Sequence, residues 1–238
     1  WSVALRTPAD IGFDGSRYDL PPLNIQQVVL EADATAQGTL FHVETADLNQ
    51  RRAARKNTIG DRVQAAAELV NSSDEPWLVW CDLNSESQQL TKAIPGAVEV
   101  TGSMSAEEKA DAMIGFTEGR YRVLVTKAGI AGFGMNWQHC HNMAFVGLSD
   151  SYEQYYQAIR RCHRFGQTKQ VNVYVVTTDA DGPVVRNIQR KEEQARQMTD
   201  ELVAQMAFED DGRQVGRDEM EYTTDTATGD GWTMMLAI

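Results

Sequence analysis

The sequence predicts an α/β domain in which a parallel sheet is flanked by helices. Between Trp77 and Thr178, short apolar runs alternate with amphipathic stretches, which is typical of parallel strands connected by helices. Helix start and stop signals stand between these runs, where the connecting helices belong. Hydrophobic residues make up 42% of the 238 residues, and this content is enough to bury a sizeable core.

Five apolar runs are the predicted strands of this sheet. They are Trp77–Cys81, Ala97–Val100, Arg122–Thr126, Met143–Leu148 and Val171–Thr177. Ser105 and Glu108 have the spacing of a capping box before an apolar helical stretch, and Gly119 follows as its left-handed stop. Asp150 with Glu153 is expected to open a later helix in the same way.

The rest of the chain lies on either side of this core. The preceding part contains strand-like pieces at Gln27–Leu30 and Thr39–Val43 and a helical pattern over Arg51–Asn71. The following part contains an amphipathic helical pattern over Val184–Phe208 and then an acidic tail. We therefore divide the chain into a connecting or accessory segment, a core domain and a C-terminal helix with its tail: residues 1–72, 73–180 and 181–238.

Charge is unevenly distributed along the chain. The net charge is −12, which by itself disfavours nucleic acid as a partner because phosphate binding needs a basic surface. Residues 120–170, however, hold seven Lys/Arg against two Asp/Glu. This basic block either faces a polyanion or is simply a solvated surface.

Two common classes of protein are disfavoured. The sequence has no run of about 18 apolar residues and does not begin with a signal-peptide pattern, so we expect a cytoplasmic protein with no membrane partner. Its three cysteines are too few and too scattered for a disulfide framework, and they fit a reducing compartment.

The most informative residues are Gln157, Arg161 and Arg164, which are spaced by four and then three residues. On a helix this spacing places them on one face. Paired guanidinium groups match phosphate oxygens and suit a polyphosphate ligand. The alternative is a solvated basic helix end.

Residues 157–169, QAIRRCHRFGQTK, resemble motif VI of Swi/Snf-like superfamily-two helicases, which are related to the DEAD/DEAH proteins. The resemblance implies the C-terminal RecA-like lobe of a DNA helicase or translocase of the phage or bacterial type. It further implies that Arg161 and Arg164 are arginine fingers that reach the γ-phosphate of ATP, with Gln157 supporting the site between two lobes. Arg160 and Cys162 depart from the family pattern.

Residues 123–138, VLVTKAGIAGFGMNWQ, form an apolar run that leads into a glycine-rich turn. Alone, this pattern also fits a dinucleotide-binding turn or a tight connection. Because it precedes motif VI, it resembles motif V of the same helicases. The resemblance implies that Thr126 and Lys127 contact DNA phosphates and that Gly132, Gly134 and Asn136 shape the loop joining DNA to nucleotide.

Two weaker resemblances support this interpretation. Residues 77–84 resemble motif IV, and Thr101 with Gly102 resembles the intervening motif that contacts the DNA backbone. The sequence has no Gly-Lys followed by Ser or Thr and no credible magnesium-binding aspartate after a strand. We therefore expect an N-terminal lobe of the same protein to hold ATP and Mg²⁺, and this chain alone to be inactive.

Three alternatives remain open at this stage. A zinc site would use the residues His139, Cys140, His141, Cys162 and His163, but no C-x-x-C pair accompanies them and we expect no metal. The lobe could also act as a non-catalytic adaptor that binds DNA or protein. An unrelated cofactor enzyme with a Rossmann-like fold is the third alternative.

Overall fold

The computed structural model describes residues 14–16, 19–30, 56–131, 135–178 and 181–210, with side chains as far as residue 204. Its strands are β1 (Leu23–Leu30), β2 (Trp77–Cys81), β3 (Ala97–Val100), β4 (Val123–Lys127), β5 (Asn142–Val146) and β6 (Val171–Thr178). Its helices are α1 (Ile59–Asn71), α2 (Asn84–Ala93), α3 (Ala106–Thr117), α4 (Ala128–Ala131), α5 (Tyr152–Ile159) and α6 (Gly182–Asp210).

The strands form one sheet in the order β1-β6-β5-β2-β4-β3, and every pairing is parallel. Helices cover both faces. One face packs against α3, α5 and α6 through residues such as Phe116, Tyr155 and Ile188. The other packs against α1 and α2 through residues such as Val63 and Leu90. This arrangement confirms the predicted fold class.

The order of the sheet reverses at β2, whose five residues are all buried. β2 pairs with β4 on one side and with β5 on the other. In parallel α/β sheets, such a reversal opens a crevice outside the carboxyl ends of the strands. Cys81, Lys127 and Val146 end the three strands that meet there.

The predicted end signals are confirmed for α3 and corrected for α5. The Ser105 hydroxyl accepts from Glu108 N at 3.2 Å and the Glu108 carboxylate accepts from Ser105 N at 2.8 Å, which is the predicted capping box. Gly119 has φ +74°, as the left-handed stop requires. The prediction that Asp150 caps the next helix is wrong, because the hydroxyl of Ser151 accepts from Gln154 N at 3.3 Å instead.

The flanking elements extend the predicted ones. β1 begins at Leu23 and pairs with β6 along its whole length, so it is part of the sheet although it lies in the segment 1–72. The helix predicted over Arg51–Asn71 is described from residue 56 onward, and the strand-like piece at Thr39–Val43 lies outside the described residues. None of the helices in the described ranges is long and apolar enough to span a membrane.

Candidate functional site

The two arginines of residues 157–169 do not share a helix. α5 ends at Ile159, and the chain continues through successive turns up to residue 166. Arg161 N and Cys162 N donate to carbonyl oxygens only three residues back, on Ala158 and Ile159, at 3.2 Å each. The prediction of a common helix face is therefore wrong, because the chain turns away before Arg161.

Arg161 is nevertheless held in a defined orientation. The residue is 8% exposed, and its Nε donates to the carbonyl oxygen of Gln157 at 3.1 Å. Nη2 donates to Gln157 Oε1 at 3.2 Å, and Nη1 donates to the carbonyl oxygen of Met135 at 3.0 Å. Burial lowers the pKa of Arg161, and the nearby positive charge of Arg164 lowers it further.

Arg164 lies beside this group and is half-buried. Its Nη1 donates to Oδ1 of Asn136, and its Nε is buried without a hydrogen-bond partner among the described residues. Trp137 N donates to the carbonyl oxygen of Arg161 at 2.8 Å. The structure therefore brings Gln157, Arg161, Arg164 and Asn136 together in an arginine cluster, whereas Gly132 and Gly134 lie outside the described residues.

Gln167 builds the scaffold beneath the arginine cluster, a role that sequence reasoning missed. Its side-chain amide donates to the carbonyl oxygens of Gln138 at 3.0 Å, Cys140 at 3.1 Å and Cys162 at 3.3 Å. These bonds join the segment after α4 to the turns after α5. The Gly-Gln pair within residues 157–169 was the available signal in the sequence. Two of the residues that Gln167 bonds, Gln138 and Cys140, are 29 and 27 residues away, so the sequence alone did not reveal these contacts.

A second group of predicted residues lies at the carboxyl ends of the strands. Lys127 ends β4 and lines a cavity of about 250 Å³ there. Thr126 is fully buried, and its hydroxyl donates to the carbonyl oxygen of Val100 at 3.0 Å. This corrects the predicted contact of the Thr126 side chain with DNA phosphates, because the hydroxyl points into the protein and already has a partner.

Thr101 and Gly102 follow β3 at the same edge of the sheet. The Thr101 hydroxyl lies 3.0 Å from that of Ser103, and the carbonyl oxygen of Gly102 accepts from Lys109 Nζ at 2.9 Å. The exposed backbone of Gly102 remains accessible to a ligand. These residues and Lys127 lie away from the arginine cluster, since the turns after α5 lead to the amino end of β6.

The basic block of residues 120–170 does not form one surface. Arg120 pairs with Asp111 at 2.9 Å and with Glu118 at 3.1 Å. Arg122 donates to the carbonyl oxygens of Ser73 at 2.8 Å and Val70 at 3.1 Å. Lys169 lies 3.5 Å from Glu75. Arg160 stacks over the ring of Tyr156 at 5.0 Å. Lys127, Arg161 and Arg164 thus remain for an anionic ligand, at two separate places.

The cysteines and histidines are not gathered into a metal site among the described residues. All three cysteines are buried free thiols. Burial raises the pKa of Cys81 to about 12, with the charge of Glu86 adding to this effect. Burial likewise raises the pKa of Cys162. Cys81 and Cys162 are therefore protonated at neutral pH and unreactive.

Known proteins resemble this chain over part of its length. Residues 61–166, just under half of the chain, match the family model described as helicase conserved C-terminal domain. The TATA-binding protein-associated factor mot1 of Aspergillus fumigatus, found in two strains, is 29% identical over 122 residues. That alignment covers 48% of this chain and 6% of mot1, so the chain spans a small fraction of these curated relatives.

Several solved structures also align with about half of the chain. The C-terminal part of the Fun30 ATPase domain has 21% identity and a TM-score of 0.47, covering 54% of this chain and 44% of that one. A DEAD box protein from the hyperthermophile Methanococcus jannaschii has 18% identity and a TM-score of 0.49, covering 56% and 37%. The C-terminal domain of the DEAD-box protein Dbp5 has 18% identity and a TM-score of 0.47, covering 56% and 78%.

The family match confirms the resemblance to a helicase C-terminal lobe. The matched residues run from α1 to the turns after α5, and they include every described member of the arginine cluster.

Proposed function

We propose that this chain is the C-terminal RecA-like lobe of an ATP-dependent DNA helicase or translocase, Swi/Snf-like and of the phage or bacterial type. It completes an ATPase site together with the N-terminal lobe of the same protein. The main observation in support is the arginine cluster, in which Gln157 and Met135 orient Arg161 beside Arg164. The match to helicase C-terminal domains covers the same residues.

A triphosphate fits the chemistry of this cluster. Two guanidinium groups lie close enough for the charge of Arg164 to lower the pKa of Arg161. An anion bound between them would remove this repulsion. The buried Nε of Arg164, which has no partner within the described part of the chain, is a donor that a phosphate oxygen could satisfy.

When bound, ATP with Mg²⁺ supplies the phosphoryl group that is transferred, and the N-terminal lobe holds most of it. The residues of this chain supply orientation and positive charge. Gln157 and Met135 occupy three N–H groups of Arg161, which fixes the guanidinium plane before the reaction and leaves its other N–H groups for the ligand. Preoriented charge of this kind stabilises the negative charge that develops during transfer.

The DNA strand is proposed to cross the sheet at the carboxyl ends of its strands. There, Lys127 neutralises a phosphate and the exposed backbone near Thr101 and Gly102 approaches the strand. Lys127 and Asn136, which accepts from Arg164, stand nine residues apart in the sequence. Because so few residues separate the two sites, closure around ATP would also move the DNA contact.

ATP hydrolysis by two preparations tests the proposal: the full-length protein that contains this chain, and the 238-residue chain alone. We expect DNA-stimulated turnover from the former and none above background from the latter, because arginines act only on a γ-phosphate that other groups already hold. Magnesium-dependent hydrolysis by the chain alone would contradict the proposal. DNA binding without turnover by the full-length protein would favour the adaptor instead.

A further inference from the structure

Trp137 joins the end of α3 to the arginine cluster. The residue is fully buried, and its indole N–H donates to the hydroxyl of Thr117, the last residue of α3, at 3.1 Å. Its backbone N–H donates to the carbonyl oxygen of Arg161 at 2.8 Å. One residue therefore bonds α3 through its side chain and Arg161 through its backbone.

Packing holds Trp137 firmly between these two partners. Its ring meets that of Phe116 edge-on with the centroids 5.6 Å apart, and the ring of Trp80 lies at 6.3 Å. The Thr117 hydroxyl is also fixed, because it donates to the carbonyl oxygen of Met113 at 2.9 Å while it accepts from the indole. Close-packed interiors have few voids and transmit strain. A displacement of the end of α3 would therefore reach the backbone of Arg161.

The position of Arg161 depends on this bond more than that of a helical residue would. α5 ends at Ile159, and the chain turns before Arg161. In a continuing helix, the carbonyl oxygen of Arg161 would accept from the N–H group four residues later. Here it accepts from Trp137, which stands 24 residues earlier in the sequence. The backbone of Arg161 is thus placed by tertiary structure.

The other end of α3 lies at the edge of the sheet that is proposed to face DNA. Gly102 follows β3 there, and its carbonyl oxygen accepts from Lys109 Nζ, near the start of α3, at 2.9 Å. α3 has 12 residues, which span about 18 Å at 1.5 Å per residue. One helix therefore connects the proposed DNA contact at Gly102 with the residue that holds Arg161.

We propose that α3 transmits the DNA contact at Gly102 to Arg161 through the bond between Thr117 and Trp137. Coupling between distant sites can pass through a rigid helix and packed side chains in this way. Thr117 and Trp137 are positioning residues, since they act through the backbone of Arg161. This inference rests on the proposed function, and it adds a second connection between the two sites besides the short stretch of sequence from Lys127 to Asn136.

The experiment measures ATP turnover by the full-length protein at saturating ATP, with saturating DNA and without DNA. The ratio of the two rates is the DNA stimulation. Thr117→Val keeps the shape of the side chain but removes the acceptor of the indole N–H, so the stimulation should fall about fivefold, the scale of one lost hydrogen bond. Thr117→Ser keeps the hydroxyl and should retain the stimulation of wild type.

Thr91→Val is the matched control for Thr117→Val. The Thr91 hydroxyl also donates to the carbonyl oxygen four residues back, on Ser87, at 2.9 Å. Thr91 lies on α2, however, which packs on the other face of the sheet. Thr91→Val should therefore leave the DNA stimulation unchanged.

A double-mutant cycle tests whether the connection begins at Gly102. Lys109→Met breaks the bond to the carbonyl oxygen of Gly102 at the other end of α3. Two changes in one connection are not independent, so Lys109→Met with Thr117→Val should lower the stimulation no further than the larger single change. Lys109→Met with Thr91→Val should give the same stimulation as Lys109→Met alone.

The inference is overturned if Thr117→Val keeps the stimulation of wild type, if Thr117→Ser loses it equally, or if turnover falls by the same factor with and without DNA. Effects of Lys109→Met and Thr117→Val that multiply would overturn it as well. If Thr117→Val unfolds, Thr117→Ala takes its place under the same criteria, because it leaves room for water to accept from the indole. Absence of DNA stimulation in wild type would instead reject the proposed function.

Discussion

Arg62 on α1 and Glu86 on α2 form an ion pair with 2.7 Å between Nη1 and Oε1, and both side chains are completely buried. The second carboxylate oxygen of Glu86 accepts from the backbone N–H groups of Asp82 and Leu83, at 2.9 Å each. One buried carboxylate thus joins two helices to the turn that follows β2. Asp82 lines the cavity at the carboxyl ends of the strands, so the pair also shapes that site.

We expect Glu86→Ala to destabilise the protein by about 3–5 kcal/mol, because it leaves the charge of Arg62 buried without its carboxylate. The double variant Arg62→Met/Glu86→Leu should lose less free energy of unfolding than Glu86→Ala. Urea unfolding measures this free energy for each variant. Glu193→Ala, which removes an exposed partner of Arg196, is the control and should cost less than about 1 kcal/mol. Equal losses for Glu86→Ala and Glu193→Ala would show that the buried pair has no special role.

Arg161→Ala and Arg164→Ala in the full-length protein should each lower ATP turnover by about 10³-fold or more, the scale of an arginine finger. DNA binding should be largely unchanged. Arg160→Ala is a closely matched control, because Arg160 lies next in sequence but stacks over the ring of Tyr156 at 5.0 Å. Steady-state hydrolysis with and without DNA measures the effect. A similar loss in Arg160→Ala, or none in the other two variants, would refute the assigned roles.

Lys127→Ala should weaken DNA binding and reduce the slope of log K against log salt by about one, the value for a single lost phosphate contact. Lys169→Ala serves as the control, since Lys169 pairs with Glu75 and follows the turns after α5. A titration at several salt concentrations gives the slope. If it is unchanged in Lys127→Ala, Lys127 does not touch the backbone of the strand.

Thr126→Val should leave that salt slope unchanged, although Thr126 precedes Lys127 directly. Its hydroxyl is bonded to the carbonyl oxygen of Val100 inside the protein, so the change should instead cost about 1 kcal/mol of stability. Denaturant unfolding beside the salt titration separates the two effects. A reduced slope with unaltered stability would restore the original interpretation of Thr126 as a DNA contact.

Stability should fall as the pH is lowered below about 6.5, the ordinary pKa of histidine. Burial lowers the pKa of His163, whose ring nitrogen lies 2.8 Å from the carbonyl oxygen of Pro21, and partial burial lowers those of His139 and His141. The unfolded chain then binds more protons than the folded one. The stabilisation is complete above the unfolded pKa and is lost as the pH falls through the folded values.

The urea midpoint at pH 7.5 and at pH 5.5 tests this dependence, since the carboxylates with lowered pKa values, such as Glu108, titrate at lower pH. His163→Gln should reduce the difference between the two midpoints. A midpoint that stays constant in wild type between these pH values would show that the folded histidines titrate normally.

Much of the fold could be predicted because its signals are local. A fully apolar run such as Trp77–Cys81 is stable only as a strand buried on both faces, and the Ser105 capping box closes on itself within four residues. The grouping of Arg161 with Arg164 followed from a resemblance that covers consecutive residues, although the helix face expected from their spacing does not form.

Tertiary structure alone decided the rest, because it depends on partners far apart in sequence. The end of α5 places Arg161 against Met135, 26 residues earlier, and Thr126 turns inward to a carbonyl group 26 residues before it. Arg62 and Glu86 look like surface charges on amphipathic helices until α1 and α2 pack together and bury both. Residue type and spacing determined which chemistry the chain carries. Burial and long-range hydrogen bonding decided which of those side chains remain available for a ligand, since a side chain already paired inside the protein cannot also bind one.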